Sequence, residues 1–426
     1  MSEIAATPEA ASPPQRADFK RLMVFFALVY LVEGIGQSDG LISQPLNYYL
    51  KQVYQWTPVQ ITAFLTVLNL PWFLKPLYGI VSDFVPLFGS RRKAYLLLAN
   101  ALAAAAYFSM AGAAAPNTIL LLLLLAVYGM AIASTVAGAV LVENAQRFNA
   151  ANTFVNQQNL WFEIAAIGVS LLGGALVQWL TPLSAVHVAV LIAGVAPILV
   201  MFGTLTLIEE EKTAISLEGL KRSVRSLRSA LGMRHLWVLA LFLFFYYFSP
   251  GIDTPLYFYM TDHMKFSQAF IGALNSIGAA GWIVAAVLYG LFLRDLSAKM
   301  LLNLTIFAGV LATLSFLLMT DPFTAAFAQF VYGGASMMTA VATLGLAAEL
   351  CPKHSEGFVY AALLAVTNIA SAAADNVGSF LYEHAFHDAL YPLILVAAGF
   401  TAVNFALVPF LKLGKEHTEI APLLRK

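Results

Sequence analysis

Leu74-Lys75-Pro76-Leu77-Tyr78-Gly79-Ile80-Val81-Ser82-Asp83 runs on through Phe84 to Phe88 into Gly89-Ser90-Arg91-Arg92-Lys93, and this stretch decides the reading of the chain. It joins two long apolar runs by a short charged link, the pattern of two membrane helices meeting at a water interface. Gly79 permits close helix approach, Asp83 stands at a helix end, and the basic cluster can pair with an acid across the same mouth. Retention of basic loops on the cytoplasmic side accounts for the arginines. It does not account for the Gly-x-x-x-Asp spacing ahead of them.

Outward from this link the other residues are of the same kind. The 426 residues are 60% hydrophobic and 11% charged, with a formal net charge of zero and a mean hydropathy of +0.78. Soluble domains carry about 25% charged residues, so this chain belongs in a bilayer. Zero net charge gives no general pull toward nucleic acid, and the single cysteine, Cys351, forms no internal disulfide. A membrane helix needs about 20 apolar residues and a barrel strand about 10 alternating ones; the long runs select helices. Twelve spans are expected, at 22–50, 58–82, 93–113, 117–143, 159–180, 184–208, 236–260, 267–293, 299–319, 322–349, 356–383 and 388–411. Residues 1–21, rich in Ala, Pro and Ser, read as a disordered cytoplasmic tail rather than a signal peptide.

Placing the N-terminus in the cytoplasm puts most of the 23 Lys and Arg residues on that side, with Lys51 and Lys265 outside and Lys75 inside a span. Both termini are then cytoplasmic, the second tail being 412–426. The widest interruption, 209–235, opens with Glu209-Glu210-Glu211. It continues with Leu217, Leu220, Val224, Leu227 and Leu231 at helical spacing among cations, an amphipathic linker suited to the inner membrane surface. It separates a six-helix bundle over 22–208 from a second over 236–411. Pro45-Leu46-Asn47-Tyr48-Tyr49 with Trp56-Thr57 and Ile61 recurs 210 residues later as Pro255-Leu256-Tyr257-Phe258-Tyr259 with Phe266-Ser267 and Ile271. Two parallel repeats around a midplane cavity suit a rocking transporter.

The link at 74–93 resembles the signature loop of the major facilitator superfamily. Leu70-Pro71-Trp72-Phe73-Leu74-Lys75-Pro76-Leu77-Tyr78-Gly79, with Ser82-Asp83, Pro86, Gly89, Arg91-Arg92 and Tyr95-Leu96, is similar to the folate-biopterin transporter family within it. So are Gln37, Pro250, Pro255, Phe266-Ser267, Phe270-Ile271-Gly272, and Leu346 to Pro352 leading to Asn368 and Gly378. The resemblance implies an all-α membrane protein with twelve helices in two pseudo-repeated bundles. It also implies secondary transport of a pterin- or folate-like solute by alternating access. Ser134 and Gly138 stand where the family carries aspartates, and the fifth span reads Leu160-Trp161-Phe162-Glu163-Ile164-Ala165 where it often has an arginine. A missing cation and an added acid weigh against a dianionic folate.

Charge near a helix centre costs about 2.5–3.5 kcal/mol on insertion scales and marks function. Glu33, Asp39, Asp253 and Asp375 are the candidate proton carriers, and Glu33 is placed to pair with Lys75 across neighbouring helices. Snorkelling of Lys75, an outward vestibule around the three aspartates, and wetting of Glu163 near the inner end of its span are the plainer readings. Gln37, Trp72, Lys75, Asp253, Tyr257, Tyr259 and Asn368 are the candidate solute-binding residues, with a ring held between Tyr257, Tyr259 and Trp72. Asp83, Arg91, Arg92 and Glu143 would gate the cytoplasmic mouth, with Arg294 and Glu349 their counterparts. The sequence shows no Walker loop, metal cluster or nucleophile with a base, so no cofactor, primary pump or enzyme is expected. A monomeric, proton-coupled carrier in lipid, in a bacterial inner membrane, fits these residues. A carrier of another amphipathic or cationic solute, or a non-transporting receptor or scaffold of the same fold, remains open.

Overall fold

The computed structural model describes residues 13–148, 150–210, 212, 232–293, 296–350 and 356–411. Most of the amphipathic linker, the expected gate residue Arg294 and the second tail lie outside the described residues, as does the side chain of Glu349. The first half comprises α1 (Pro13–Gly36), α2 (Ser43–Tyr54), α3 (Pro58–Phe73), α4 (Lys75–Phe84), α5 (Lys93–Met110), α6 (Pro116–Phe148), α7 (Ala151–Trp179) and α8 (Pro182–Leu207). The second comprises α9 (Arg234–Tyr247), α10 (Asp253–Asp262), α11 (Gln268–Leu288), α12 (Ala298–Ser315), α13 (Pro322–Leu350), α14 (Glu356–Phe380) and α15 (Leu390–Leu407). Among the described residues, 8 helical stretches, α3 with α4 counted as one, are long and apolar enough to cross a membrane. The broken pairs α1–α2 and α9–α10, with α13 and α14, complete the twelve spans. Large apolar side chains point outward, Trp179 and Phe323 each 80% exposed, because lipid rather than water covers this surface.

α1 begins at Pro13, inside the stretch read as a tail. Proline suits a first helical turn, and Phe19 packs on Phe148 and Phe154 with ring centroids 5.5 and 5.2 Å apart. α7 begins at Ala151, eight residues ahead of the apolar run, so Glu163 lies about 18 Å into its helix. It is 9% exposed rather than wetted at an end.

The repeat read from one pentapeptide holds in the backbone. Both first spans of the halves break at the same place: α1 ends at Gly36 and α2 starts at Ser43, while α9 ends at Tyr247 and α10 starts at Asp253. Both second segments end alike. Gln55 and Lys265 each adopt φ +54°, and the Trp56 and Phe266 amides reach back to the carbonyls of Leu50 and Met260 at 3.2 and 3.0 Å. These are Schellman-type endings. The Thr57 and Ser267 side chains then cap α3 and α11, accepting from the amides of Gln60 and Phe270.

The end carrying the Arg91-Arg92-Lys93 loop is here termed the basic end and the opposite one the far end. At the far end one apolar core runs through both halves, joining Leu46, Leu50 and Ile61 to Leu256, Ile271 and Leu274. At the basic end the second half keeps a separate core around Leu239, Leu302 and Leu363.

Candidate functional site

Three cavities meet along the inner sides of the broken spans. One of 390 Å³ between the halves is lined by Asp39, Gln44, Asn47, Asp253, Tyr257 and Asp375, among others. A second, of 340 Å³, holds Glu33, Gln37, Trp72, Lys75 and Asn368 and shares Asp39 and Asp375 with the first. A third, also 340 Å³, lies in the second half among hydroxyls such as Tyr246 and Tyr332 and again reaches Asp253 and Asp375. Asp39 and Asp253 are accessible because they face these interior spaces. The three aspartates therefore converge inside the protein instead of standing in a separate outer vestibule.

Hydrogen bonds to and across each break hold it in place, as unwound backbone in a membrane requires. The Tyr107 hydroxyl donates to the carbonyl of Gly36, and the Leu41 amide reaches the Ile35 carbonyl at 3.1 Å. In the second half the Gly251 amide donates to the carbonyl of Ala374 at 2.9 Å, and the Ser249 hydroxyl to that of Ala397 at 2.9 Å. Gly251 lies so close to α14 that a Cβ on Gly378 would overlap its carbonyl oxygen. This contact sets Asp253 beside Asp375.

Glu33 and Lys75 do not form a direct ion pair. Ser134 stands between them, its hydroxyl donating to Glu33 Oε1 at 2.7 Å and accepting from Lys75 Nζ at 3.2 Å. Lys75 Nζ sits 4.3 Å from the centre of a Trp72 ring, so it points into the cavity and does not snorkel. Glu33 Oε2 is buried without a hydrogen-bond partner. In the sequence Ser134 stands out as a polar residue inside an apolar helix, at a position where the family carries an aspartate, but nothing there links it to Glu33 and Lys75.

The expected three-ring clamp is not formed. Tyr257 lines the cavity between the halves and Trp72 the one beside it. Tyr259 lines neither: its hydroxyl donates to that of Tyr391 at 3.3 Å and its ring stacks on His263. Two residues apart on a helix, Tyr257 and Tyr259 point about 200° apart around the axis and cannot face one ligand.

At the basic end, Arg92 is buried and its Nη2 contacts Asp83 Oδ1 at 2.5 Å and Glu143 Oε1 at 2.7 Å. Nη1 donates to the Ser82 hydroxyl at 2.9 Å. The pair ties the loop to α6 within the first half and does not bridge the halves. The Arg91 side chain is not part of it; its Nε is buried and unpartnered. Glu210 instead gathers the loop, accepting from the amides of Arg91, Arg92 and Lys93 at 2.7, 2.9 and 2.8 Å and from the Ser90 hydroxyl at 2.5 Å. An acid at a helix N-terminus satisfies its free amides and dipole. Burial works to raise the Glu210 carboxyl, but the Lys93 amide, the Ser90 hydroxyl and the Arg91 and Arg92 amides outweigh it and hold it below the usual carboxylate range. Its stabilising effect is therefore complete above the ordinary glutamate value of about 4.3 and fades as pH falls through the lower folded value. Glu210→Ala is expected to cost about 1–3 kcal/mol at neutral pH. A thermal-unfolding comparison should find that difference shrinking toward about pH 3; a pH-independent difference would contradict the assignment.

At the far end Lys51 reaches across the halves. Its Nζ lies 2.7 Å from Asp262 Oδ1, also contacts the Thr261 hydroxyl, and sits 4.1 Å from the centre of the Phe258 ring. Gln44 Nε2 to the Gln268 carbonyl at 2.7 Å, Thr62 to Ser379 at 2.7 Å and Asn376 to Thr66 at 2.6 Å add further links between the halves. Asp262 is half exposed, so solvent screens the ion pair and the latch contributes about 1–2 kcal/mol. Lys51→Ala is expected to speed labelling of a cysteine at Thr62 about tenfold, the equivalent of 1.4 kcal/mol. An unchanged labelling rate would remove Lys51 from the closure.

The sequence pattern of the BT1 family matches residues 35–413. The folate-biopterin transporter of Synechocystis sp. is 27% identical over 368 residues, covering 83% of this chain and 73% of that protein. Folate transporter 1 of Plasmodium falciparum is 24% identical, covering 93% of this chain and 77% of that protein. Among solved structures, the nucleoside transporter NupG superposes with a TM-score of 0.68 at 17% identity, covering 93% of this chain and 100% of that one. The D-xylose-proton symporter superposes with a TM-score of 0.66 at 12% identity, covering 96% and 99%. The fold is the twelve-helix major facilitator fold.

Proposed function

Because this chain belongs to the BT1 family and is an integral membrane solute transporter, not an enzyme, we propose that it carries a neutral or singly charged pterin-like heterocycle by alternating access, coupled to protons. The basic end faces the cytoplasm, as the basic loops require, and in a bacterium the membrane is the inner one. The observation that carries the reading is the charge balance of the connected cavities. Glu33, Asp39, Asp253 and Asp375 line them with one cation, Lys75. The N–H edge of a pterin suits such acceptors, and its flat ring suits Trp72 and Tyr257. The second carboxylate of a folate tail would be buried beside acids with no partner, a cost that one lysine does not offset.

Protons enter the account through the same carboxyls. Three aspartates and a glutamate around these adjoining spaces face a single cation, Lys75, so proton uptake is the means by which they accommodate a changing occupant. Rocking of the halves, with the far-end links formed in one state and broken in the other, would expose them to either side in turn.

Competition binding to the purified protein tests the substrate assignment. Biopterin should compete at least about tenfold more tightly than folate, the equivalent of about 1.4 kcal/mol. Folate binding that is tight and indifferent to Lys75→Ala would overturn the charge argument. The acid-rich lining also favours an organic cation; displacement by simple amines, with no effect of biopterin, would establish that second reading.

A further inference from the structure

We propose that Glu33, Ser134 and Lys75 form a site at which one carboxylate of the solute and one proton bind together. This rests on the transporter reading above and specifies what the Lys75 side of the cavity accepts. The Ser134 hydroxyl has a single proton and spends it on Glu33 Oε1 at 2.7 Å, so it accepts from Lys75 Nζ at 3.2 Å. An ammonium carries three donors. One is used by Ser134, and the group lies over Trp72 with two donors left for the cavity that Gln37 and Asn368 also line. A carboxylate oxygen is the acceptor that matches them.

The empty pair of Lys75 and Glu33 sums to zero charge. Adding a solute carboxylate leaves one uncompensated negative charge in a buried space, which is unfavourable. One proton taken from water onto Glu33 Oε2 restores neutrality. It also removes the charge from the buried oxygen that has no hydrogen-bond partner, and an uncharged group is far less costly to leave there. No covalent bond other than the new O–H forms, and the proton leaves by the same route when the solute does. The charged or titratable groups around Glu33 are Tyr30 and Asp39 from its own span, Lys75 from α4, Asp375 from α14 and Glu163 on α7, which packs against α1. A solute without a carboxylate brings no such charge, and its binding carries no linked proton.

Binding of four probes to the full chain in lipid nanodiscs, between about pH 5.5 and about pH 8, tests this: pterin-6-carboxylate against 6-hydroxymethylpterin, and benzoate against benzamide. The two carboxylates should weaken by about tenfold per pH unit on the alkaline side, one proton per ligand, while the neutral partners stay flat. Glu33→Gln should flatten the carboxylate profile. Lys75→Gln and Ser134→Ala should erase the preference for each carboxylate over its neutral partner, and Ser134→Thr should restore it. Carboxylate binding that is independent of pH in the native protein, or a slope that persists in Glu33→Gln, would overturn the proposal. Pterins that bind without a slope would sink the site and leave the pterin reading standing. Benzoate that binds with a slope while neither pterin binds would do the reverse, and no binding of any probe would overturn both.

Discussion

Glu33→Gln is expected to lower gradient-driven accumulation of the solute by at least about 100-fold, the equivalent of about 2.7 kcal/mol of lost coupling, while solute exchange across the membrane continues. Glutamine has the same shape, and its carbonyl oxygen still accepts from Ser134, so Lys75 keeps its place over Trp72. What is lost is the capacity to take up and release a proton. A ligand shifts a two-state equilibrium only by its differential affinity for the two states, and a site that no longer titrates provides none to the proton. Proteoliposomes assayed with and without an imposed gradient separate the two activities. Accumulation that survives in Glu33→Gln would move the coupling to Asp39, Asp253 and Asp375, which line the adjoining cavities.

Gly378→Val is expected to reduce transport by about 100-fold through geometry alone, since misplacing a binding group by about 1 Å is worth that much. The Gly251 carbonyl occupies the space where a side chain at Gly378 would begin. Gly251 is also bonded through its amide to Ala374 at 2.9 Å, so neither strand of chain can give way without moving Asp253 or Asp375. Overpacking of this kind costs about 1–3 kcal/mol in stability. The variant should therefore remain recoverable, with a lower melting temperature, while losing function out of proportion. Normal transport by Gly378→Val would mean that this contact does not place the two aspartates.

The spans were legible because run length and composition act locally. The repeat was legible because Pro45-Leu46 and Pro255-Leu256 each begin the second segment of a broken span, and their caps, Thr57 and Ser267, follow at the same distance. The break after Gly36 was not read, since averaging hydropathy over 22–50 conceals six non-helical residues, although Gly34, Gly36, Asp39 and Gly40 mark the place. Ser134 was invisible as a link, since its two partners lie 101 and 59 positions away and a serine in an apolar helix commonly bonds its own backbone. Trp72 and Lys75 share a cavity because they flank the α3–α4 junction at Leu74. Helical geometry separates Tyr257 from Tyr259. The depth of Glu163 is hidden because residues 151–158, five of the eight polar, continue the helix beyond its apolar part. The Glu210 contacts depend on a chain reversal that no periodicity encodes.

Proton movement through this chain is tied to movement of a pterin-like solute that carries one carboxylate. Uptake of labelled pterin-6-carboxylate into proteoliposomes, with a pH-sensitive dye inside and an acid-outside gradient imposed across the membrane, measures both at once. Pterin-6-carboxylate should rise above its equilibrium level, and adding it should speed lumenal acidification. Uptake that only equilibrates, whatever the gradient, or a dye signal indifferent to pterin-6-carboxylate, would rule this coupling out.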